Sequence, residues 1–351
     1  MITIHRGLEG VHVAQTRLSR VDGATGELLL AGEPVEALAG KITVEAAVAR
    51  LWQTAGIPGT IDLGAARLRA HARLNATSEI LKQADGMAAI QAGIATMNCK
   101  TPADILGAVA VLTGAWWRTQ NDQPPLTPDP TADHAADLLR LLTGATDPER
   151  AAALSAYLVA VMDHGLNAST FTARVVASTA SDDSAAVIAA ISALKGPLHG
   201  GAPGPVLDML DDIASPERAG PWIAAELTAG RRIMGMGHRV YRVRDPRAAV
   251  LEAATRRLSA VGIGGQRLTL ARAVESAAVA LLAEAKPDRA IFANVEFATA
   301  VLLEAVGVDR RVFAMLFACS RTAGWLAHAA EERRDGRLMR PRAEYIGSTP
   351  S

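Results

Sequence analysis

The stretch Gly235-Met236-Gly237-His238-Arg239-Val240-Tyr241-Arg242-Val243-Arg244-Asp245-Pro246-Arg247 reads in two halves with opposite backbone preferences. The glycines ahead of His238 oppose helix, because glycine loses the most freedom when a helix fixes it. Asp245-Pro246-Arg247 favours one: the aspartate can cap free N–H groups, and a proline at the first helical position supplies a fixed φ where no donor is needed. The spacing predicts a helical block from Pro246 through Val261, which Gly262-Ile263-Gly264-Gly265 separates from a helix running to Ala285. Upstream, the glycine-rich break Gly230 to Gly237 and a Gly/Pro cluster from Gly196 to Pro205 interrupt otherwise helix-compatible sequence. That cluster can hinge, and a change of domain is expected there.

Further out the helical period persists. Val44, Ala47, Val48, Leu51 and Trp52 share one helix face, with Thr43 placed to cap it and Gly56 to end it. Thr101-Pro102-Ala103-Asp104 and Asp147-Pro148-Glu149 each combine a cap, a proline and an early acid, and so open two long apolar helices. Between them, Gln123 to Pro130 holds four prolines in eight residues, too donor-poor for helix, and is expected as an exposed connection. Only the first forty residues read differently: Asp22-Gly23 and Thr25-Gly26 mark a turn between the apolar runs Val11 to Val21 and Leu28 to Leu30, hence a small hairpin. The class expected is all-α with a minor N-terminal β-hairpin.

Composition narrows the function. The chain has 351 residues, half of them apolar, enough to bury a large core. Its 36 basic and 36 acidic side chains give zero formal charge, so nothing calls for the basic surface that nucleic acid or anionic lipid requires. Two cysteines, Cys99 and Cys319, make neither a disulfide framework nor a paired zinc site. No apolar window reaches membrane-spanning length and Met1 to Gly10 lacks a leader's apolar core, so a cytoplasmic location is expected. Aromatics are scarce at 4% while alanine abounds, which predicts helices packed closely through small side chains.

Chemistry is sought in the breaks, because loops on a rigid scaffold carry function more often than helix interiors. Three histidines lie there: His164 in Asp163-His164-Gly165-Leu166-Asn167, His199 in Lys195-Gly196-Pro197-Leu198-His199-Gly200-Gly201, and His238. Around His199, glycines let a ligand approach the backbone and leave the imidazole as the one strong polar side chain, an arrangement suited to polarising an oxygen. His238 precedes Arg247, whose fork can hold a carboxylate. Imidazole plus guanidinium suits an oxo acid. Neither HExxH nor HxH appears, so the histidines do not read as zinc ligands, and no Gly-Lys-Ser/Thr follows either glycine cluster, so a phosphate-cradling P-loop is unsupported.

Lys195-Gly196-Pro197-Leu198-His199-Gly200-Gly201-Ala202, together with Gly235 to Arg247, resembles the two signature regions of the citrate synthase family. The resemblance extends to Gly7-Leu8-Glu9-Gly10 and Thr16 to Gly23 at the opening, Asn167-Ala168-Ser169-Thr170-Phe171, and Arg340-Pro341-Arg342-Ala343-Glu344-Tyr345 at the ending, and so covers nearly the whole chain. It implies a helical homodimer that binds neither nucleic acid nor membrane. Residues 1–205 and 312–351 would form a large domain, and 206–311 a small CoA-binding domain that closes over substrate. It further implies an acyltransferase that condenses acetyl-CoA with oxaloacetate and hydrolyses the thioester to citrate and CoA. The alternatives are a 2-methylcitrate synthase acting on propionyl-CoA and a weakly catalytic binder of CoA or oxo acid with a regulatory role.

Carried over residue by residue, the resemblance makes His199 the donor to the thioester carbonyl, His238 the group polarising the oxaloacetate carbonyl, and Glu296 the base. His164, Arg247, Arg321 and, from the other subunit, Arg340 would hold the substrate's carboxylates, with Phe317 lining the site. For CoA, the backbone of Met234, Gly235, Met236 and Gly237 would meet adenine and Arg242 the phosphates, with Lys286 or Arg289 as further candidates. No metal and no tightly bound cofactor is implied; the CoA thioester is a substrate. The sequence departs from the family chiefly at Asn294-Val295-Glu296-Phe297, where aspartate is usual in place of Glu296. Ala298-Thr299-Ala300 replaces the common Tyr-Ser-Gly, with Ala298 expected to free space into which the backbone retreats from the longer carboxylate. Gly165 stands where glutamate is common, and Pro203-Gly204-Pro205 replaces a common Asn-Glu.

Overall fold

The computed structural model describes residues 4–8, 10–197, 199, 203–238, 240–287 and 290–348, positions 6 and 203 by backbone alone. Leu198, Gly200 and Gly201 beside His199, and Arg289 among the CoA candidates, lie outside the described residues. Apart from one small sheet, the regular structure is helical, the all-α class expected. Strand β1 (Ser19–Asp22) pairs antiparallel with β2 (Glu27–Leu30), Ser19 opposite Leu30, across a turn in which Gly26 takes a φ of 75°. The expected hairpin gains a third strand, β3 (Glu33–Pro34), antiparallel to β2, which stops at a proline that opens the helical turn Val35–Leu38.

The helix starts behave as their sequences predict. Thr43 accepts from the Ala46 N–H ahead of Val44–Ala55, and Gly56 closes that helix in the left-handed region. Thr101 and Asp104 form a reciprocal capping box before Pro102–Thr119, and Asp147 caps Pro148–Ala160. From Asp104 to Trp116 the Pro102–Thr119 helix is buried all round, which makes it an axis of the core. Its neighbours include Leu63–His71, Gly86–Thr96, His134–Thr143 and the last helix, Phe313–Asp335. Small residues set the spacing: a Cβ added at Gly107 would stand 2.8 Å from the backbone of Ala66.

The proline-rich connection differs from expectation in being fastened rather than simply exposed. Fully buried Arg67 donates to the carbonyls of Asp129 (3.0 Å) and Ala132 (2.9 Å) and to the Asp137 carboxylate (2.7 Å), and Pro128 is buried. An otherwise unsatisfiable guanidinium thus recruits carbonyls that the prolines leave free.

Four chain breaks position the site. Pro148–Ala160 ends just before His164, and Ala168–Ala177 begins just after it with Asn167 as cap. His199 precedes the Pro203–Ile213 helix, His238 precedes Pro246–Ala260, and Glu296 lies in the first turn of Val295–Val306. Pro246–Ala260 packs against both Pro148–Ala160 and Val295–Val306, so these breaks meet. Several helix N-termini are therefore gathered at one place, an environment that favours anions. Among the described helices none is long and apolar enough to cross a membrane.

Candidate active site

The His238 loop and the Glu296 helix start are one backbone unit. Gly237 N–H donates to Phe292 O (2.8 Å), Asn294 N–H to Gly235 O (2.9 Å), and Asn294 Nδ2 to Gly237 O (2.9 Å). Gly235 is required here twice over: its φ is 72°, and a Cβ would stand 2.8 Å from that of Phe297. His238 Nδ1 accepts the N–H groups of Val240 (2.9 Å) and Tyr241 (3.0 Å). That nitrogen is therefore unprotonated, and the neutral ring carries its proton on Nε2 as a donor. Burial, helped by Arg247, lowers the affinity of His238 for a second proton, and Asp245 only partly opposes this.

Two guanidiniums supply the charge. Arg247 is buried, with Nε and Nη2 engaged bidentately by Asp245 (3.0 and 2.7 Å). Arg321 is 1% exposed, donates from Nε to Val161 O (2.8 Å), and stacks 4.7 Å from the centre of the Phe317 ring. Burial pulls its pKa down to about 10. Between them His164 sits with Nε2 3.1 Å from the Tyr241 hydroxyl, and burial, then Arg247 and Arg321, hold its pKa well below the ordinary imidazole value.

At the other end His199 Nε2 lies 2.8 Å from the buried hydroxyl of Ser169, which also receives Trp325 Nε1–H (3.2 Å). Phe317 stands edge-on to the His199 ring at 6.4 Å. Burial, then Arg321, lowers the His199 pKa to about 4, so this ring too is neutral at physiological pH. Glu296 shifts the opposite way: burial raises its pKa, with the Asn294 amide and Arg247 opposing. Asn294 fixes its backbone by accepting the N–H groups of Glu296 (2.9 Å) and Phe297 (3.2 Å).

His164, His199, His238, Arg247, Glu296, Phe317 and Arg321 all line one cavity of about 870 Å³. Two cations, neutral imidazole donors and a carboxylate drawn toward neutrality fit proton removal beside a carbonyl in a polyanionic substrate. Among the described residues no three of His, Cys, Asp and Glu gather as a metal would require.

Other residues named from sequence lie apart. Arg340 is exposed in the extended segment after Phe313–Asp335 and does not line the cavity of its own chain. Gly237 and Arg242 line a second cavity of about 450 Å³ with Ile291, Phe292 and Ala293; Met234 is exposed and Gly235 is buried beneath it. Lys286 is exposed just after the Gly265–Ala285 helix. Ala298 corrects an expectation: it points away from the Glu296 carboxylate, into a separate void of about 320 Å³ with Thr255, Leu268 and Val301, so the space it frees lies behind the helix.

Several contributors went unread in the sequence. Ser169 and Tyr241, which hold His199 and His164, sit in the quoted motifs but were assigned no role, although each is within a few residues of a histidine. Asp163, adjacent to His164, and the cavity-lining residues Gly7, Leu8 and 10–14 act through tertiary contact, which no local pattern announces.

The chain matches, over residues 7–342, the family model described as Citrate synthase, C-terminal domain. A citrate synthase of Haloferax volcanii is 34% identical over 98% of this chain and 96% of its own. Relatives from Mycobacterium tuberculosis and Mycobacterium bovis reach 50% identity, but over 59% of this chain and 54% of their own length. Among solved structures, citrate synthase from Pyrobaculum aerophilum is similar with a TM-score of 0.88 and 30% identity, over 99% of this chain and 93% of that one. A citrate synthase of Thermoplasma acidophilum, solved in ternary complex with carboxymethyl coenzyme A and oxaloacetate, is similar with a TM-score of 0.87 and 28% identity, over 99% and 97% of the two chains.

Proposed function

The chain belongs to the citrate synthase family, and we propose on that premise that it condenses acetyl-CoA with oxaloacetate and hydrolyses the resulting thioester to citrate and CoA. The observation that carries this reading is the sharing of one cavity by three neutral imidazoles, a carboxylate with raised proton affinity and two buried guanidiniums.

Oxaloacetate's carboxylates go to Arg321, Arg247 and His164, with Arg340 of a second subunit closing the set. Its ketone oxygen faces the Nε2–H of His238, the nitrogen that the Val240 and Tyr241 amides leave as donor. Glu296 removes a methyl proton from acetyl-CoA while His199 donates to the thioester oxygen, so charge developing on that oxygen meets a preorganised donor. The Ser169 hydroxyl, which donates to Asn167 Oδ1 (2.8 Å), lies against Nε2 of His199 and holds the ring beside the cavity. The enol carbon attacks the ketone carbon, the ketone oxygen gains a proton, and water then cleaves the citryl thioester to release the CoA thiol. The cavity beside Gly237 and Arg242 takes the nucleotide end of CoA. Closure of residues 206–311 over the remainder would exclude water during condensation.

The test is thiol release by the purified chain with oxaloacetate and either acetyl-CoA or propionyl-CoA. Release that requires oxaloacetate and collapses in His199→Ala and Glu296→Gln supports a synthase, and the ratio of specificity constants names the acyl substrate. Saturable binding of CoA or oxaloacetate with no release from either thioester refutes catalysis and leaves a regulatory binder.

A further inference from the structure

One face of the last helix, Phe313–Asp335, fastens the segment that carries His164. Ser320 Oγ–H donates to Leu158 O (2.5 Å) and Arg321 Nε to Val161 O (2.8 Å). One turn on, Gly324 lets the helix lie against Asp163, since a Cβ there would be 3.0 Å from Asp163 Oδ1. A further turn on is His328, fully buried, with Nε2 3.1 Å from Asp163 Oδ2 and Nδ1 3.0 Å from Arg174 Nη1.

That last pair decides the proton's place. Arginine is a donor only, so Nδ1 of His328 accepts from Arg174 and the ring proton sits on Nε2, donating to Asp163. Arg174 is itself buried and locked by Glu331 (2.8 Å) and Glu332 (2.7 Å). Asp163 also accepts Ser19 Oγ–H (2.6 Å), and the same hydroxyl accepts the N–H of Gly165 (2.9 Å). Both neighbours of His164 are thus tied to one serine–aspartate pair, on an oxygen oriented by a chain of buried donors running from Arg174. The second oxygen of Asp163 is buried with no hydrogen-bond partner among the described residues.

We propose that Ser19, Asp163 and His328 are positioning residues for the oxo-acid end of the site: they fix the peptide on both sides of His164. A misplacement of about 1 Å at a reacting centre costs about a hundredfold, so fastening of this kind has a functional consequence. Stability alone does not call for it, because buried ion networks are often replaceable by apolar groups without loss.

The proposal rests on the reading of this cavity as an oxo-dicarboxylate site, and its test separates the two. Oxaloacetate binding by calorimetry is compared for the wild type, Ser19→Ala, His328→Leu and His328→Gln; Ser19 is half-buried on a short strand, and glutamine keeps one acceptor and one donor. Expected are a dissociation constant weakened about tenfold in Ser19→Ala and His328→Leu, recovery in His328→Gln, and KM for the thioester within about twofold throughout. Imidazole ¹⁵N spectra of the ligand-free chain supply the second arm: His328 should show the Nε2–H tautomer, and Ser19→Ala should shift the signals of His164 but not those of the remote buried His134. Unmoved His164 signals, or oxaloacetate binding unchanged in both Ser19→Ala and His328→Leu, overturn the proposal. Failure of the wild type to bind oxaloacetate overturns the functional reading instead, and the spectra still decide the positioning.

Discussion

Shortening the base by one methylene, Glu296→Asp, tests whether this site has been built around glutamate. Asn294 holds the backbone of Glu296 at a helix start, and its own amide is held by Gly237 O. The Cα therefore cannot follow the shortened side chain, and the carboxylate withdraws by one bond length, about 1.5 Å. Misplacement on that scale predicts a loss of about a hundredfold in kcat, about 2.7 kcal/mol in the barrier. KM for oxaloacetate should hardly change, because in the proposed complex its carboxylates are assigned to Arg247, Arg321, His164 and a second subunit's Arg340 rather than to Glu296. Aspartate also serves a first helical turn as well as glutamate does, so stability should be unaltered.

Steady-state thiol release, with thermal unfolding as a control, reads both quantities. Glu296→Gln should fall further, within the range of about a hundred- to ten-thousandfold expected for deleting a general base. If Glu296→Asp is as fast as the wild type or faster, the carboxylate is not held as this geometry requires and the base assignment through the pinned backbone fails.

On pH, activity should fall toward acid as Glu296 gains a proton, and because burial raises its proton affinity the fall should set in above the ordinary glutamate value of about 4.3; His199, at about 4, titrates below that limb, and a profile that stays flat down to about pH 4.5 contradicts the assignment. Stability should also fall with acid: the folded value of His164 is depressed, so below about pH 6.5 the unfolded chain binds a proton that the folded one refuses, and a Tm that does not drop between about pH 7 and 5 would argue against a neutral enclosed His164. Arg67→Ala should cost about 1–3 kcal/mol in denaturant unfolding, because the Asp129 and Ala132 carbonyls lose their buried donor while Asp137 keeps Arg140; a change below about 0.5 kcal/mol would show that the fastening of the proline-rich connection is incidental. If the proposed dimer shares Arg340 across subunits, Arg340→Ala and His199→Ala should each be inactive alone, and co-refolding equal amounts should restore about a quarter of wild-type activity, since half the dimers would be mixed with one intact site each; no recovery refutes a site shared between subunits.

Local rules sufficed where local physics decides. Thr43, Thr101 and Asp147 cap the helices their neighbours predict, because a cap needs only its own next few N–H groups. The third strand at Glu33–Pro34 was hidden because two residues, one of them proline, carry no periodicity and pair only once β2 exists. In the site, the residues legible from the sequence itself are those on breaks, His164, His199 and His238, which neighbouring glycines mark, whereas Glu296 and Arg321 were legible only through the family resemblance. The geometry brings these together with Arg247 and Arg321, whereas the groups that contact the site histidines and their segments, Ser169, Tyr241 and Asp163, are ordinary polar residues whose importance is created by tertiary contact. Ala298 marks the limit of reading by substitution: its small side chain could be seen in the sequence, but the side of the helix it faces could not.

The protonation pattern of the cavity follows from one cause with opposite effects on two chemical types. Burial disfavours charge on every group it encloses. A guanidinium begins so far above neutrality that even Arg321, drawn down to about 10, stays cationic, while an imidazole begins near neutrality and loses its charge outright. The two cations then reinforce the neutrality of the histidines beside them. A carboxylate in the same enclosure moves toward protonation, which makes Glu296 a stronger base than an exposed glutamate. Fixed cations, uncharged donors and a poised base thus need no separate devices; they arise from placing arginine, histidine and glutamate in one enclosed space and orienting each by a backbone or hydroxyl contact. A dianionic substrate is the ligand proposed for such a space, because Arg247 and Arg321 both line the cavity and the imidazoles beside them are uncharged donors.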